Sequence, residues 1–302
     1  AEQGTLPLRI VAMLSATDPS LEDMLRAGRY KDLNDFMSIR SVKIYADGAL
    51  GSRGAALLAD YADRKNHQGL MLETQQKLEQ LYTLSFNHGF SANTHAIGDK
   101  ANHIVLDAYQ NVFKKTGGIL LRNRIEHAQI VDPADIPRFK ALKIIPSMQP
   151  VHATSDMHMA EQRLSDTQLQ GAYAWQTFLK QGSVVAAGSD YPVELANPFD
   201  GLYSAITRQD HNQLPANGWR VTEALSREDA LRAFTLGAAY AAHQEFKLGS
   251  LEQGKWADFI LIDKDYFKVP VQEIFTIVVN QTWIGGELRY QKAQIDNQSK
   301  AQ

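Results

Sequence analysis

Short apolar runs rich in β-branched residues alternate with longer segments of helical periodicity over most of the chain. Because two parallel strands need a long crossover connection between them, this alternation predicts an α/β fold with a parallel sheet. Six runs have the length and composition of strands: Leu8–Leu14, Ser41–Ala46, Phe90–Ala96, Arg124–Ile130, Lys143–Met148 and Ser183–Ala187. Helices are expected over Gln75–His88, Ala101–Lys115, Ile136–Leu142, Leu169–Gln181 and, after a capping serine at position 226, Ala230–Ala242.

The pattern changes after residue 246. A turn-rich stretch leads into strand patterns at Phe259–Ile262 and Ile277–Trp283, and the pair Gly285-Gly286 predicts a hairpin into Glu287–Tyr290. We therefore expect an α/β domain over residues 1–246, a small β unit over residues 247–292 and a disordered tail over residues 293–302.

The composition excludes several kinds of site and partner. The 302 residues include no cysteine, so disulfides, thiolate metal sites and a cysteine nucleophile are ruled out. A net charge of −3 argues against a nucleic-acid partner. No apolar run approaches the roughly 20 residues of a membrane span, and the first residues lack the pattern of a secretory signal. We expect a cytoplasmic protein that acts on a small molecule, with neither nucleic acid nor membrane as partner.

Four side chains capable of metal chemistry lie at the ends of successive predicted strands: Lys43, His95, His127 and Asp190. Barrels of the α/β class assemble their active sites at this edge of the sheet. Two imidazoles and a carboxylate are ligands that zinc accepts while a position stays open for water. Taken singly, each histidine is compatible with a hydrogen-bonded core residue and Asp190 with a turn or helix cap. Their shared position favours a site.

Lys43 differs from the other three, because a buried ammonium is costly and repels a cation. It is either a salt-bridged lysine or a lysine carbamylated by carbon dioxide, which would carry a negative charge. Arg53, in a glycine-rich loop after the Lys43 strand, is either a contact for a substrate carbonyl or carboxylate or a solvated loop charge. His152 follows the fifth predicted strand and is expected to donate to a tetrahedral oxyanion.

Several segments resemble the amidohydrolase superfamily, and within it the amidohydrolase-3, YtcJ-like group. They are VKIYADGALGSRGAAL, NTHAIGDKA, RIEHAQIVDPADIPRF, SMQPVHATSD, GSDYPVE and LGSLEQGKWADFILID. The resemblance extends from about Leu8 to about Tyr290, with the motifs in the order of that family. It implies a metal-dependent hydrolase barrel over residues 1–246 and, beyond it, the C-terminal part of a small β-sandwich.

The resemblance also implies roles for individual residues. Lys43 would be a carboxylated lysine that bridges two metal ions, His95 and His127 would be ligands of the second ion, and Asp190 would be both ligand and proton shuttle. Zinc would be the expected metal. The implied reaction is hydrolysis of carbon–nitrogen bonds other than peptide bonds, in amides, formamides or cyclic amides, by metal-activated water.

The sequence departs from this family in one respect. The His-x-His pair that ends the first barrel strand is absent, since no two of the nine histidines are two residues apart. With six predicted strands where a barrel has eight, we expect an incomplete TIM-like (β/α) barrel, the C-terminal portion of such a hydrolase beginning near the third strand. Its exposed sheet edges predict a homo-oligomer that covers them.

Two other functions stay open at this point. Loss of the His-x-His pair removes two ligands of one metal, so the chain would then be a catalytically impaired remnant that serves as a binding or structural module. The second alternative is an aldolase-type barrel in which Lys43 forms a Schiff base with a carbonyl substrate. This alternative assigns no role to His95, His127 and Asp190.

Overall fold

The computed structural model describes residues 4–293, and its main feature is a seven-stranded sheet. The strands are β1 (Ile10–Ser15), β2 (Tyr30–Lys31), β3 (Met37–Tyr45), β4 (Ser91–Ala96), β5 (Arg124–His127), β6 (Ile145–Met148) and β7 (Ala186–Ala187). Strands β1, β3, β4, β5, β6 and β7 pair in that order, each parallel to its neighbour, and β2 pairs antiparallel with β3. This topology confirms the expected α/β fold and all six predicted strands of the parallel sheet.

Ten helices connect or follow these strands within the described residues. They are α1 (Leu21–Ala27), α2 (Gln75–Asn87), α3 (Asp99–Thr116), α4 (Ile136–Ala141), α5 (Pro150–Arg163), α6 (Asp166–Gln170), α7 (Trp175–Lys180), α8 (Pro198–Thr207), α9 (Arg227–Arg232) and α10 (Ala238–Ala241). Turns of 3₁₀-helix occupy Gly118–Leu121, Val221–Glu223 and Val271–Thr276, and a π-helical turn at Ala233–Gly237 joins α9 to α10. Within residues 4–293, no helix combines the length and apolar character that crossing a bilayer requires.

Two helical regions of the structure differ from the prediction. The segment Leu169–Gln181 divides into α6 and α7, because the chain turns at Gly171 and Tyr173 has a left-handed φ of 51°. Helix α5 is absent from the predicted set, although Pro150 at its first position is typical of a helix start. Ser226 caps α9 as expected, by accepting a hydrogen bond from the backbone N–H of Asp229.

One face of the parallel sheet packs against α2 and α3. Tyr82 of α2 stacks on Tyr109 of α3 with ring centroids 4.2 Å apart. Both hydroxyls hydrogen-bond to Thr94 of β4, at 2.8 and 3.1 Å. Because side chains alternate along a strand, Thr94 facing the helices turns the next residue, His95, to the opposite face.

The parallel sheet is open within the described residues. Strand β1 pairs on one side with β3 and β7 pairs on one side with β6, so the sheet ends at both of these strands. Ile10 and Met13 of β1 are 39% and 37% exposed. These features confirm the expected incomplete barrel, which has six parallel strands.

A separate antiparallel sheet follows the helices, with strands β8 (Phe259–Ile262), β9 (Val279–Ile284) and β10 (Glu287–Gln291) in the order β10-β9-β8. Gly285 and Gly286 form the predicted hairpin turn, at φ values of 62° and 80° that suit glycine. The boundaries at 1–246 and 247–292 stay a proposal. Of the tail expected over residues 293–302, residues 294–302 lie outside the described residues.

A buried carboxylate, Asp35, joins the segment before β3 to the segment before β8. It accepts hydrogen bonds from Lys247 at 2.5 Å and from the indole of Trp256 at 2.9 Å, and it pairs with Lys31 at 2.6 Å. Burial acts to raise the pKa of Asp35, but these three donors outweigh it and lower the pKa to about 2. The carboxylate is therefore charged and paired at neutral pH.

Candidate functional site

A cleft of about 420 Å³ lies at the carboxyl ends of the parallel strands. Five predicted site residues line it: Lys43 on β3, His95 on β4, His127 at the end of β5, His152 on α5 and Asp190 after β7. Because parallel strands end at the same edge of a sheet, the chain order brings these side chains together. Five of the six site residues predicted from the sequence therefore lie in one cleft.

Arg53 is the exception. Its guanidinium forms a bidentate ion pair with Asp63, from Nε to Oδ1 at 3.1 Å and from Nη2 to Oδ2 at 2.6 Å. It is not among the residues that line the cleft. The position of Arg53 therefore favours the alternative interpretation, a loop charge with a partner of its own.

One group of metal-competent side chains converges within residues 4–293. A ligand atom from each of His127, His152 and Asp190 lies within 4.8 Å of the other two. His127 and Asp190 belong to the set predicted from the sequence, whereas His152 takes the place of His95. Two imidazoles and a carboxylate form the donor set of many catalytic zinc sites.

Gln149 orients the ring of His127. The side-chain oxygen of Gln149 lies 2.8 Å from Nδ1 of His127, and its Nε2 donates to the carbonyl of Ser147 at 3.2 Å. With the amide fixed in this way, Nδ1 of His127 carries the proton and Nε2 retains its lone pair. Burial lowers the pKa of His127, and the charges of His152 and Lys43 lower it further. The ring is therefore neutral, which is the form that binds a metal.

Two buried imidazole nitrogens have no hydrogen-bond partner among the described residues: Nε2 of His95 and Nε2 of His152. Nε2 of His152 lies 3.6 Å from Oδ2 of Asp190, and Nε2 of His95 lies 3.5 Å from Oδ1 of Asp47. A buried polar atom without a partner is costly, by about 1–3 kcal/mol. A divalent cation bound between His152 and Asp190 would satisfy the first nitrogen, so the residues present fit a metal such as zinc.

His95 and Lys43 lie beside this group. The ring of His95 packs edge-on against that of His127, with centroids 4.5 Å apart. Burial and the neighbouring charges of His127 and Lys43 lower the pKa of His95 to about 3. The Lys43 Nζ lies 4.8 Å from the centroid of the Tyr45 ring. Burial lowers the pKa of Lys43, against the opposing effects of Glu126 and Asp190, and this increases the neutral fraction of the amine.

Asp47 fastens the loop after β3 to the loop after β4. Its carboxylate accepts hydrogen bonds from the backbone N–H groups of Ile97 at 3.0 Å, Gly98 at 2.8 Å and Ala56 at 2.9 Å. The two loops approach so closely that a Cβ at Gly98 would lie 2.0 Å from the carbonyl oxygen of Ala56. Burial raises the pKa of Asp47 to about 7, although the three N–H groups oppose the shift. This contact holds the strand ends that carry Lys43 and His95.

The backbone is left-handed at two of the candidate ligands. His127 has a φ of 77° and Asp190 a φ of 62°. Such values are uncommon outside glycine, and backbone strain of this kind clusters at functional sites. In each case the chain turns at the residue whose side chain points into the cleft.

Other residues of the cleft were not predicted from the sequence. Those with polar side chains are Tyr45, Gln129, Asp156 and Glu194. Asp156 lies four residues after His152, so a helix beginning at Pro150 would have placed both side chains on one face. Pro150 could have predicted the start of this helix. Because no helix was predicted there, the four-residue spacing of His152 and Asp156 did not indicate a shared face.

Comparison with known proteins identifies the family to which the chain is similar. The sequence profile of the amidohydrolase family matches residues 1–290. The Bacillus subtilis protein YtcJ, which carries the name of an amidohydrolase, is 30% identical over 85% of the chain and 48% of its own length. The N-substituted formamide deformylase of Arthrobacter pascens is 26% identical over 83% of the chain and 46% of its own length.

A solved structure has the same fold. It is an uncharacterized metal-dependent hydrolase from Pyrococcus furiosus, with a TM-score of 0.76 and 30% identity over 88% of the chain and 53% of its own length. The chain therefore spans about half the length of the proteins it matches.

Proposed function

The chain belongs to the amidohydrolase family, and from this we propose that it is a metal-dependent hydrolase of carbon–nitrogen bonds other than peptide bonds. The substrate class is amides, formamides or cyclic amides. The observation that carries the proposal is the convergence of His127, His152 and Asp190 in a cleft, where Nε2 of His152 is buried and has no hydrogen-bond partner within residues 4–293. Similarity to an N-substituted formamide deformylase supports formamides within this class.

We assign one divalent cation, most simply zinc, to His127, His152 and Asp190. His95 on β4 and Lys43 on β3, the further ligands implied by the family resemblance, remain part of the proposed ligand set. When bound, the cation supplies Lewis-acid chemistry: it polarises a carbonyl oxygen and lowers the pKa of water. Carbamylation of Lys43 remains part of the proposal: its amine nitrogen adds to the carbon of carbon dioxide and releases one proton, which leaves an anionic ligand.

Asp190 moves the proton in this scheme. Its side chain is 37% exposed and lies in the cleft, so it can reach both water and substrate. The carboxylate accepts a proton from the attacking water and returns it to the leaving nitrogen as the carbon–nitrogen bond breaks. The products are a carboxylic acid and an amine, so the atoms balance. The role expected for His152 from the sequence, donation to a tetrahedral oxyanion, requires a proton on Nε2. A metal ligand needs the lone pair of that nitrogen, so Nε2 cannot have both roles at once.

The experiment is an amine-release assay on the zinc-loaded chain, with an N-alkylformamide, a linear N-alkylacetamide and, as the cyclic amide, the lactam 2-pyrrolidinone. We expect hydrolysis of at least one of these substrates, and a loss of about 100-fold or more in kcat for Asp190→Asn. His88→Ala is the control, because His88 hydrogen-bonds to its own helix at the carbonyl of Leu84. A chain that binds metal and hydrolyses none of them would instead be the binding or structural remnant. Borohydride trapping of a carbonyl compound on Lys43 would favour the Schiff-base alternative.

We also propose that a second copy of the chain covers the open sheet. Among the described residues, β1 and β7 each pair on one side only, and Ile10 and Met13 of β1 are more than a third exposed. Light scattering should then detect a dimer or larger assembly. A compact monomer at all concentrations would refute this proposal and leave the proposed reaction untouched.

A further inference from the structure

The wall of the cleft opposite β3 and β4 contains a carboxylate that the proposed reaction does not use. Helix α5 carries His152 and Asp156 four residues apart, and both line the cleft. Residues at this spacing lie on the same face of a helix, separated by about 6 Å along its axis. Asp156 is therefore one helical turn away from the proposed metal ligand.

Two buried donors hold one oxygen of Asp156. The hydroxyl of Tyr173 donates to Oδ2 at 2.8 Å, and the amide of Gln129 donates to the same oxygen at 2.5 Å. Tyr173 and Gln129 are 1% and 3% exposed. The backbone N–H of Tyr173 also donates to the carbonyl of Gln129 at 2.7 Å. The carboxylate thus has a fixed orientation before any ligand arrives.

The second oxygen of Asp156 is free. Within residues 4–293, Oδ1 makes no hydrogen bond and is not sealed from solvent, and no Lys, Arg or His forms an ion pair with Asp156. A partly buried carboxylate that is held by two neutral donors lacks the charge partner that would offset its desolvation. Glu194, the other unpredicted carboxylate of the cleft, adds negative charge to the same wall. A cationic ligand group would therefore complement the negative charge of this wall.

We propose that Asp156 binds an ammonium group of the substrate and determines specificity for amides that carry a basic amine. This inference rests on the proposed amide hydrolysis and names its substrate class. A separation of about 6 Å from His152 corresponds to about four or five covalent bonds between the amine nitrogen and the carbonyl carbon. Charge-assisted hydrogen bonds of this kind contribute enough to separate the cation from a neutral analogue by about tenfold or more.

The test is calorimetric binding of two amides of equal size to the whole chain. δ-Aminovaleramide carries an ammonium five bonds from its carbonyl, which lies within the estimated range of about four or five, and hexanamide has a methyl group in its place. The wild-type chain should bind δ-aminovaleramide about tenfold or more tightly than hexanamide. Equal affinities would overturn the proposal.

Asp156→Asn is the informative variant. Both donors hydrogen-bond to one oxygen of Asp156, so an asparagine retains them while its amide replaces the free oxygen. We expect the preference for the ammonium to disappear and the affinity for hexanamide to stay unchanged. The matched control is Glu79→Gln, at a carboxylate outside the cleft whose Oε1 likewise accepts from two neutral donors, the amides of Gln75 at 3.1 Å and Asn111 at 2.9 Å, and it should keep the preference. A preference that persists in Asp156→Asn, or that is lost in Glu79→Gln, would refute the assignment.

Binding is measured on metal-free protein, so the outcome does not depend on turnover. A chain that prefers the ammonium and hydrolyses no amide retains the amine site and refutes the reaction. A chain that hydrolyses amides without this preference does the opposite. If Asp156→Asn fails to fold, as judged by circular dichroism, the wild-type comparison of the two amides still decides the proposal.

Discussion

Replacement of Asp47 by asparagine tests how the cleft is assembled. In the wild-type chain, Oδ2 accepts the N–H groups of Gly98 and Ala56 and Oδ1 accepts that of Ile97. An asparagine has a single acceptor oxygen, so it can keep the first two bonds but turns an N–H₂ group toward the N–H of Ile97. A buried donor left without an acceptor costs about 1–3 kcal/mol. We expect the free energy of unfolding to fall by about 1–3 kcal/mol at about pH 4, where the raised pKa keeps the Asp47 carboxyl neutral in the folded chain.

Asp99 provides the matched control for this substitution. Its two backbone donors, Leu58 and Lys100, both hydrogen-bond to Oδ1 at 2.8 and 2.9 Å. An asparagine can place its oxygen there and keep both bonds, so Asp99→Asn should cost about 1 kcal/mol or less. Urea unfolding at about pH 4, well below the pKa of about 7 to which burial raises Asp47, compares both variants with a wild-type chain that does not bear the cost of a buried charge at this position. Equal costs for the two variants would refute the account of the loops.

Three further substitutions test other parts of the structure. Gln149→Leu removes the acceptor for His127 and should weaken zinc binding by about 10–100-fold, as measured by competition with a chelator. Asp35 has a lowered pKa, so its contribution to stability is present above about pH 4 and is lost as the pH falls through about 2. Its lysine partners are half exposed, and solvent therefore weakens the two ion pairs. Asp35→Asn should remove about 1–2 kcal/mol of this pH-dependent stability, as measured by urea unfolding at a series of pH values. Arg53→Ala removes only a partly exposed pair with Asp63, so neither the zinc content nor the urea midpoint of unfolding should change measurably.

Periodicity and strand composition were enough to predict the parallel sheet. Apolar, β-branched runs such as the one at β3 are bounded by turn residues, and parallel strands in chain order bring their ends to one edge. Lys43, His95, His127 and Asp190 could therefore be assigned to one site before their distances were known. The resemblance to a family added roles for them, and the family profile confirms that resemblance.

The remaining features depend on contacts that a single sequence does not reveal. Helix α5 has weak amphipathic character and begins directly after β6, so the positions of His152 and Asp156 on one face became visible only in the structure. The contacts of Gln129 and Tyr173 with Asp156 join residues that are 27 and 17 positions apart in the chain. Arg53 was assigned by its glycine-rich surroundings, but its partner Asp63 lies ten residues further along the same loop.

Zinc binding by the whole chain tests the central claim most directly. Equilibrium dialysis followed by elemental analysis should find about one zinc ion per chain, held by His127, His152 and Asp190. His127→Ala and Asp190→Ala should each release most of the bound zinc, and His88→Ala should retain it. A wild-type chain that binds no zinc, or variants that retain as much of it as the wild type, would contradict the metal centre.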